Sequence, residues 1–282
     1  MSFPRTTVSG LSLSRLIIGT NYILGYSHKS AAGDAHIQEV NATSEAISAI
    51  IEAFLSYGVD TIMAPISANQ HLVDAIKMAE DRTGKRVYRI DTPIINVDDT
   101  NDARAEAMAV FKECAAGGAD FCLIHHSCCE QLVNKNTETI DRLPDYTAMI
   151  RECGMIPGLT AHMPEIILYS DQNEYDIETY TQIYNSMGFM MQVEIEVVNY
   201  IIHNARNPVM TIKPMAAGRQ TPFVGLNFSW NTLRPCDMVT IGCLTPREAH
   251  EDVEISLAAI ERRLPGLEGR DSPNKNASVL VW

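Results

Sequence analysis

Long apolar stretches are missing from this 282-residue chain, and no run approaches the roughly 20 residues that cross a bilayer. The opening decapeptide MSFPRTTVSG lacks the apolar heart of a secretory signal. Basic residues are also scarce: 22 Lys and Arg stand against 35 Asp and Glu, for a net charge of −13. That balance disfavours broad binding to nucleic acid or anionic membrane, which needs a basic face to displace counterions. A local basic pocket for one phosphate stays compatible with it. The seven cysteines, an odd number with an adjacent pair at Cys128 and Cys129, make no disulfide framework. No G-x-G-x-x-G turn, C-x-x-C pair or H-E-x-x-H helix occurs. What is present is an acidic, cytoplasmic-type chain, 46% hydrophobic and 20% charged, with enough apolar residues for a sizeable core.

Apolar runs bounded by turn residues predict eight strands. They are Leu16–Thr20, Thr61–Pro65, Val87–Thr92, Phe121–His126, Ile156–His162, Thr179–Asn185, Val209–Met215 and Met238–Cys243. Segments of helical spacing lie between them. Ala46, Ile47, Ile50, Ile51 and Phe54 share one helix face. Asp102 is placed to cap a helix over Ala103–Gly118, and Val197, Val198, Ile201 and Ile202 mark another. Thr245-Pro246-Arg247-Glu248 reads as a capping box with proline at the first helical position. Eight strand–helix alternations without a linker imply one domain, a single (β/α)8 TIM barrel, with an open doubly wound sheet as the runner-up. Residues 22–41 form a long first loop expected to fold over the mouth. The tail, 266–282, ends in the apolar SVLVW, expected to dock on the barrel or on a second subunit of a homo-oligomer.

Barrels do their chemistry at the carboxyl ends of the strands. Those ends carry Asn21, Asp91, His125, His126, His162, Gln182, Asn185, Lys213 and Cys243. Buried ionisable groups cost several kcal/mol unless paired or ligating, so such a set points to an active site. Asp91, His125 and His162 are the candidate ligands of a divalent metal, Zn, Mn, Fe or Ni. Because side chains alternate along a strand, only one of His125 and His126 is expected to face inward. His28, on the first loop, is a candidate acid–base that closes over the site. The Cys128–Cys129 pair is read as small buried hydrophobes. Lys213 is either a Schiff-base amine or, the favoured reading, an anion clamp together with Arg219 and the Arg247 helix start. Asn21, Gln182 and Asn185 complete the candidate substrate contacts. Met187, Met190 and Met191 are read as packing filler.

Several segments resemble the aldo-keto reductase superfamily, most closely its divergent bacterial branches. LIIGTN resembles the first strand of that family, and YGVDTIMAP falls where it has G-x-x-x-I-D-T-A. DFCLIHH resembles D-L-x-L-I-H, VMTIKPMAAGR resembles V-I-A-x-x-P-L-x-x-G, and TIGCLTPREAHED resembles the final strand and cofactor helix. The resemblance implies a barrel with NAD(P)H laid across its mouth and catalysis by Tyr, Lys, Asp and His. Of that set only the histidine is matched, as His125; Met63 stands at the Asp position, Ala68 or a neighbour at the Tyr position, and VYRIDTP holds no Lys. Arg219, Arg247, Glu251 and Asp252 are then the residues left to hold a nucleotide phosphate.

The leading expectation is an enzyme on a small polar, sugar-like or phosphorylated carbonyl compound, acting as a metal-assisted lyase or isomerase. In it His28 or His126 moves the proton, while Lys213 and Arg219 anchor an anionic group. The alternatives are an NAD(P)H-dependent oxidoreductase with Tyr22, Tyr26 or His125 as proton donor, and a non-catalytic ligand-binding barrel.

Overall fold

The eight apolar runs pair edge to edge, and the last meets the first. In the computed structural model, which describes residues 2–267, they close a parallel barrel. Two strands precede it, β1 (Arg5–Val8) and β2 (Leu11–Ser14). The barrel begins with β3 (Leu16–Gly19), β4 (Thr61–Ala64), β5 (Tyr88–Asp91) and β6 (Phe121–Ile124). A small hairpin follows, β7 (Val133–Asn134) with β8 (Thr139–Ile140). The ring is completed by β9 (Ile156–Leu159), β10 (Tyr180–Ile183), β11 (Val209–Ile212) and β12 (Met238–Ile241). Pairing of β12 with β3 excludes the open sheet. Each observed strand stops one to three residues before its expected end, so the polar residues beyond are carried on turns.

Alternation sorts each strand into two faces. Ile17, Met63, Ile90, Phe121, Leu123, Met210 and Met238 fill the barrel interior. Their neighbours Ile18, Ile62, Cys122 and Ile124 pack outward against the helix layer. Val8 and Leu13 of the β1–β2 hairpin join the interior cluster. That hairpin lies outside the eight expected strands. Ser9 and Gly10, with φ of 48° and 82°, supply the two left-handed residues that a tight hairpin turn requires.

Helices cover the outside. On the helix Ser44–Ser56 the residues Ile47, Ile50, Ile51 and Phe54 are buried. Each such side chain contributes about 1.5–3 kcal/mol by leaving water. The helix Asn101–Ala116 is capped by Thr100, whose hydroxyl accepts the Ala103 amide at 3.1 Å; Asp102, expected as the cap, lies in the first turn instead. The helix Pro246–Glu261 starts as expected, with Thr245 Oγ1 accepting the Glu248 amide at 3.2 Å. Residues 22–41 are not an open loop, since Asn21–Leu24 and Ala31–Val40 are helical. The expected docking segment SVLVW lies outside the described residues. No helix among the described residues is long and apolar enough to cross a membrane.

The ring is not uniform. Four register pairs join β10 to β11, but a single one, Tyr180 opposite Leu159, joins β10 to β9. A side chain strengthens that seam, the Thr181 hydroxyl accepting the Ala161 amide at 3.2 Å.

Candidate active site at the barrel mouth

A cavity of about 480 Å³ opens at the carboxyl ends of the strands. Its floor is Met63, Thr181 and Thr240; its walls carry His125, His126, His162 and Lys213, with Tyr22, Tyr26 and His28 from the segment after β3.

Both adjacent histidines face it. The expectation that only one would do so fails because β6 ends at Ile124, and strand alternation no longer applies. His125 caps a helical turn, His126–Cys129, and its Nδ1 accepts the Ser127 amide at 3.3 Å. The ring proton of His125 is therefore on Nε2. His126 stacks between its neighbours, with ring centroids 4.2 Å from His125 and 3.8 Å from His162. Burial, then the neighbouring His126, pushes His125 down to about 4. Burial, His126 and Lys213 do the same to His162, also to about 4. Both rings are neutral at pH 7, the form that ligates metal.

Glu130 binds the cluster together, four residues beyond His126 on the same turn. Its Oε1 accepts the amides of His162 at 2.7 Å and Met163 at 3.2 Å, and Oε2 lies 3.8 Å from His126 Nδ1. Burial alone would raise this carboxyl, but those hydrogen bonds and the nearby imidazoles hold it below the usual glutamate range. Ligand atoms of His126, Glu130 and His162 all lie within 4.8 Å of one another. His126 Nδ1 is buried without a hydrogen-bond partner. Glu130 is absent from the sequence-derived candidates. Its signal was the His126-to-Glu130 spacing of one helical turn.

Asp91 does not belong to this set. Ile90 points into the barrel, so Asp91 points out, where its carboxylate accepts the amides of Ile66 at 3.0 Å and Ser67 at 2.9 Å. Burial raises its pKa, and those bonds offset part of the rise. Gln182 is likewise turned away from the cavity by its neighbour Thr181, and is fully buried. Asn185 staples its own loop, accepting the Met187 and Phe189 amides and donating to the Phe189 carbonyl. Met187 and Met190 are exposed on that loop, not packing filler.

The two arginines are also engaged elsewhere. Arg219 lies 4.0 Å over the Phe189 ring and donates to the Ala216 carbonyl. Arg247 is exposed and reaches Glu251 at 3.4 Å. Neither lines the cavity. Cys128 and Cys129 are buried as expected, hydrogen-bonded to the Ile95 and Ile124 carbonyls, and Cys243 is buried beside Asp252.

Lys213 does reach the site. Its Nζ lies 3.4 Å from His28 Nε2, and Asn21 Nδ2 donates to the same nitrogen at 3.0 Å. The backbone is left-handed at His28 (φ 55°), Lys213 (φ 61°), Ala216 (φ 49°) and Ala217 (φ 55°). Such residues cost of order 1 kcal/mol each and gather where a side chain must be aimed. Gly218 is left-handed too, with φ of 74°, a conformation glycine adopts without strain.

No family model and no curated protein sequence matches the chain. Solved structures do. A Pseudomonas aeruginosa protein ascribed to the aldo-keto reductases aligns with TM-score 0.64 at 13% identity, over 91% of this chain and 95% of that one. An aldo-keto reductase from Klebsiella pneumoniae, solved with NADPH, aligns at 0.53 and 14% identity, over 94% and 92%. Orotidine 5′-monophosphate decarboxylase from Methanocaldococcus jannaschii aligns at 0.51 and 15%, over 90% and 98%. At such identities the likeness concerns architecture, which many chemistries share. The chain is a divergent (β/α)8 barrel with the fold of the aldo-keto reductases.

Proposed function

We propose that the chain is an enzyme acting in its barrel mouth on a small polar carbonyl compound, as a metal-assisted lyase or isomerase. The observation that supports it is the convergence of His126, Glu130 and His162 on one wall of the cavity. Two imidazoles and a carboxylate suit Zn, Mn, Fe or Ni. When bound, such an ion supplies Lewis-acid polarisation of a substrate oxygen. Glu130 holds the β6 and β9 turns together through the His162 and Met163 amides. His125 lines the cavity with its Nδ1 held by Ser127, and His28 adds a ring whose Nε2 accepts from Asn21. The test is metal content by mass spectrometry on untagged protein, with His126→Ala and His162→Ala as variants. Near one equivalent per chain, lost in both variants, supports the reading. No ion retained after incubation and desalting overturns it.

A nicotinamide-dependent oxidoreductase is the second reading, favoured by the NADPH carried by the Klebsiella neighbour. The chain's residues do not fit the reductase set. Met63 lines the cavity at the Asp position, Arg247 is paired with Glu251, and Glu248 accepts the Leu244 amide at the last helix start. No hydride step is derived. Micromolar NADPH binding by fluorescence would favour this reading, and none at millimolar concentration would dismiss it.

A further inference from the structure

The two arginines expected to form an anion clamp with Lys213 are engaged outside the cavity. Among the described residues no carboxylate lies within 4.0 Å of Lys213 Nζ; its polar neighbour is His28 Nε2. Asn21 Nδ2 also donates to that nitrogen, so it is unprotonated and serves as an acceptor. The Lys213 ammonium is half-buried beside the exposed His28 ring, in a cavity with Met63, Ile94 and Met215 in its lining, and has no carboxylate among the described residues to pair with. Lys213 also holds a left-handed backbone (φ 61°), which costs a non-glycine residue of order 1 kcal/mol.

We propose that Lys213 is a nucleophilic amine that forms an imine with the aldehyde or ketone carbon of the substrate, with His28 as its proton acceptor. The inference rests on the reading of the mouth as a site for a small carbonyl compound. The Nζ lone pair forms the new N–C bond while the C=O π pair moves to oxygen, which takes a proton from solvent. Nitrogen loses a proton to His28 Nε2. That proton returns to the carbinolamine oxygen, which leaves as water as the nitrogen lone pair makes C=N. Amine, carbonyl and the one solvent proton become the protonated imine and water, with no oxidant or reductant. The protonated imine draws electrons from the adjacent carbon, which is what breaking a C–H or C–C bond there requires. Burial lowers the Lys213 pKa from the ordinary lysine range, and burial, then Lys213, lowers that of His28.

The test uses the full-length protein, glycolaldehyde and sodium cyanoborohydride at pH 7, with each lysine followed by peptide mass spectrometry. Lys213 is expected to be alkylated at least ~10-fold faster than the exposed Lys77 and Lys112, because more of it is neutral. His28→Gln should slow labelling of Lys213 and leave Lys77 unchanged, and a melting curve confirms that the variant folds. Labelling of Lys213 at or below the rate of the exposed lysines overturns the inference. So does a His28→Gln variant that folds and labels like the parent. Zinc binding to Lys213→Met separates the two readings. Zinc bound with an unreactive Lys213 sinks the amine alone, and a reactive Lys213 without zinc binding sinks the metal centre alone.

Discussion

Replacing Glu130 by Gln removes one charge while keeping an oxygen where the His162 and Met163 amides need an acceptor. Hydrogen bonds to a charged acceptor contribute about 1.5–3 kcal/mol and neutral ones about 0.5–1.5. Two weakened bonds therefore cost roughly 1–3 kcal/mol of stability, on the order of 2–8 °C in Tm for a chain of this size. The effect on a bound cation is larger. A carboxylate about 4 Å from a divalent ion interacts by ~8 kcal/mol at an effective dielectric of 20, and desolvation of both groups offsets most of it. A net loss of roughly 2–3 kcal/mol corresponds to an affinity ~30- to 150-fold weaker. The assay is zinc titration by calorimetry at fixed pH, with circular dichroism to confirm the fold. Zinc affinity within threefold of the parent would refute the assignment of Glu130 as a ligand.

Lys213→Met should raise stability by about 1 kcal/mol at pH 7, because a half-buried amine without a carboxylate partner among the described residues is replaced by an apolar chain of similar length. The folded pKa of Lys213 is depressed by burial, so the cost is complete below that value and fades as pH rises toward the ordinary lysine range. The gain seen in urea titrations should therefore shrink between neutral pH and about pH 10. Asp91→Ala should lower stability by roughly 2–5 kcal/mol, since two buried amides lose a charged acceptor. Zinc stoichiometry should be unchanged in that variant; a lost ion would restore Asp91 to the metal set. With a thiol-specific disulfide reagent, at most Cys153 and Cys236 should react in the native protein, and all seven thiols after denaturation. Native labelling of Cys128 or Cys129 would contradict their burial.

The barrel was legible because its strands are short apolar runs separated by helix-length segments, a pattern with few architectural solutions. The site was legible only as a collection of strand ends. Such a collection holds residues of both faces, and one position of parity decides between cavity and helix layer. Ile90 inside puts Asp91 outside, and Thr181 inside puts Gln182 outside. His125 and His126 escape that rule because they sit on a turn. Arg219 and Arg247 were drawn away by Phe189 and Glu251, neighbours in space or one helical turn away. Glu130 lies just beyond the expected strand Phe121–His126, on a short helical turn that no apolar periodicity announces. The β1–β2 hairpin was passed over because its strands are half polar, with only Val8 and Leu13 turned to the core.

The single register pair between β9 and β10 has a consequence for dynamics. A closed sheet opens first where its ladder is thinnest, and here that place adjoins His162, whose turn follows β9. Amides along this seam should exchange with solvent ahead of those on the β10–β11 side, where the ladder is four pairs long. A ligand joined to His162 on one flank and Lys213 on the other would span the seam like a clasp. Occupancy of the mouth would then slow exchange in a region the ligand never touches, and the fold itself would report binding.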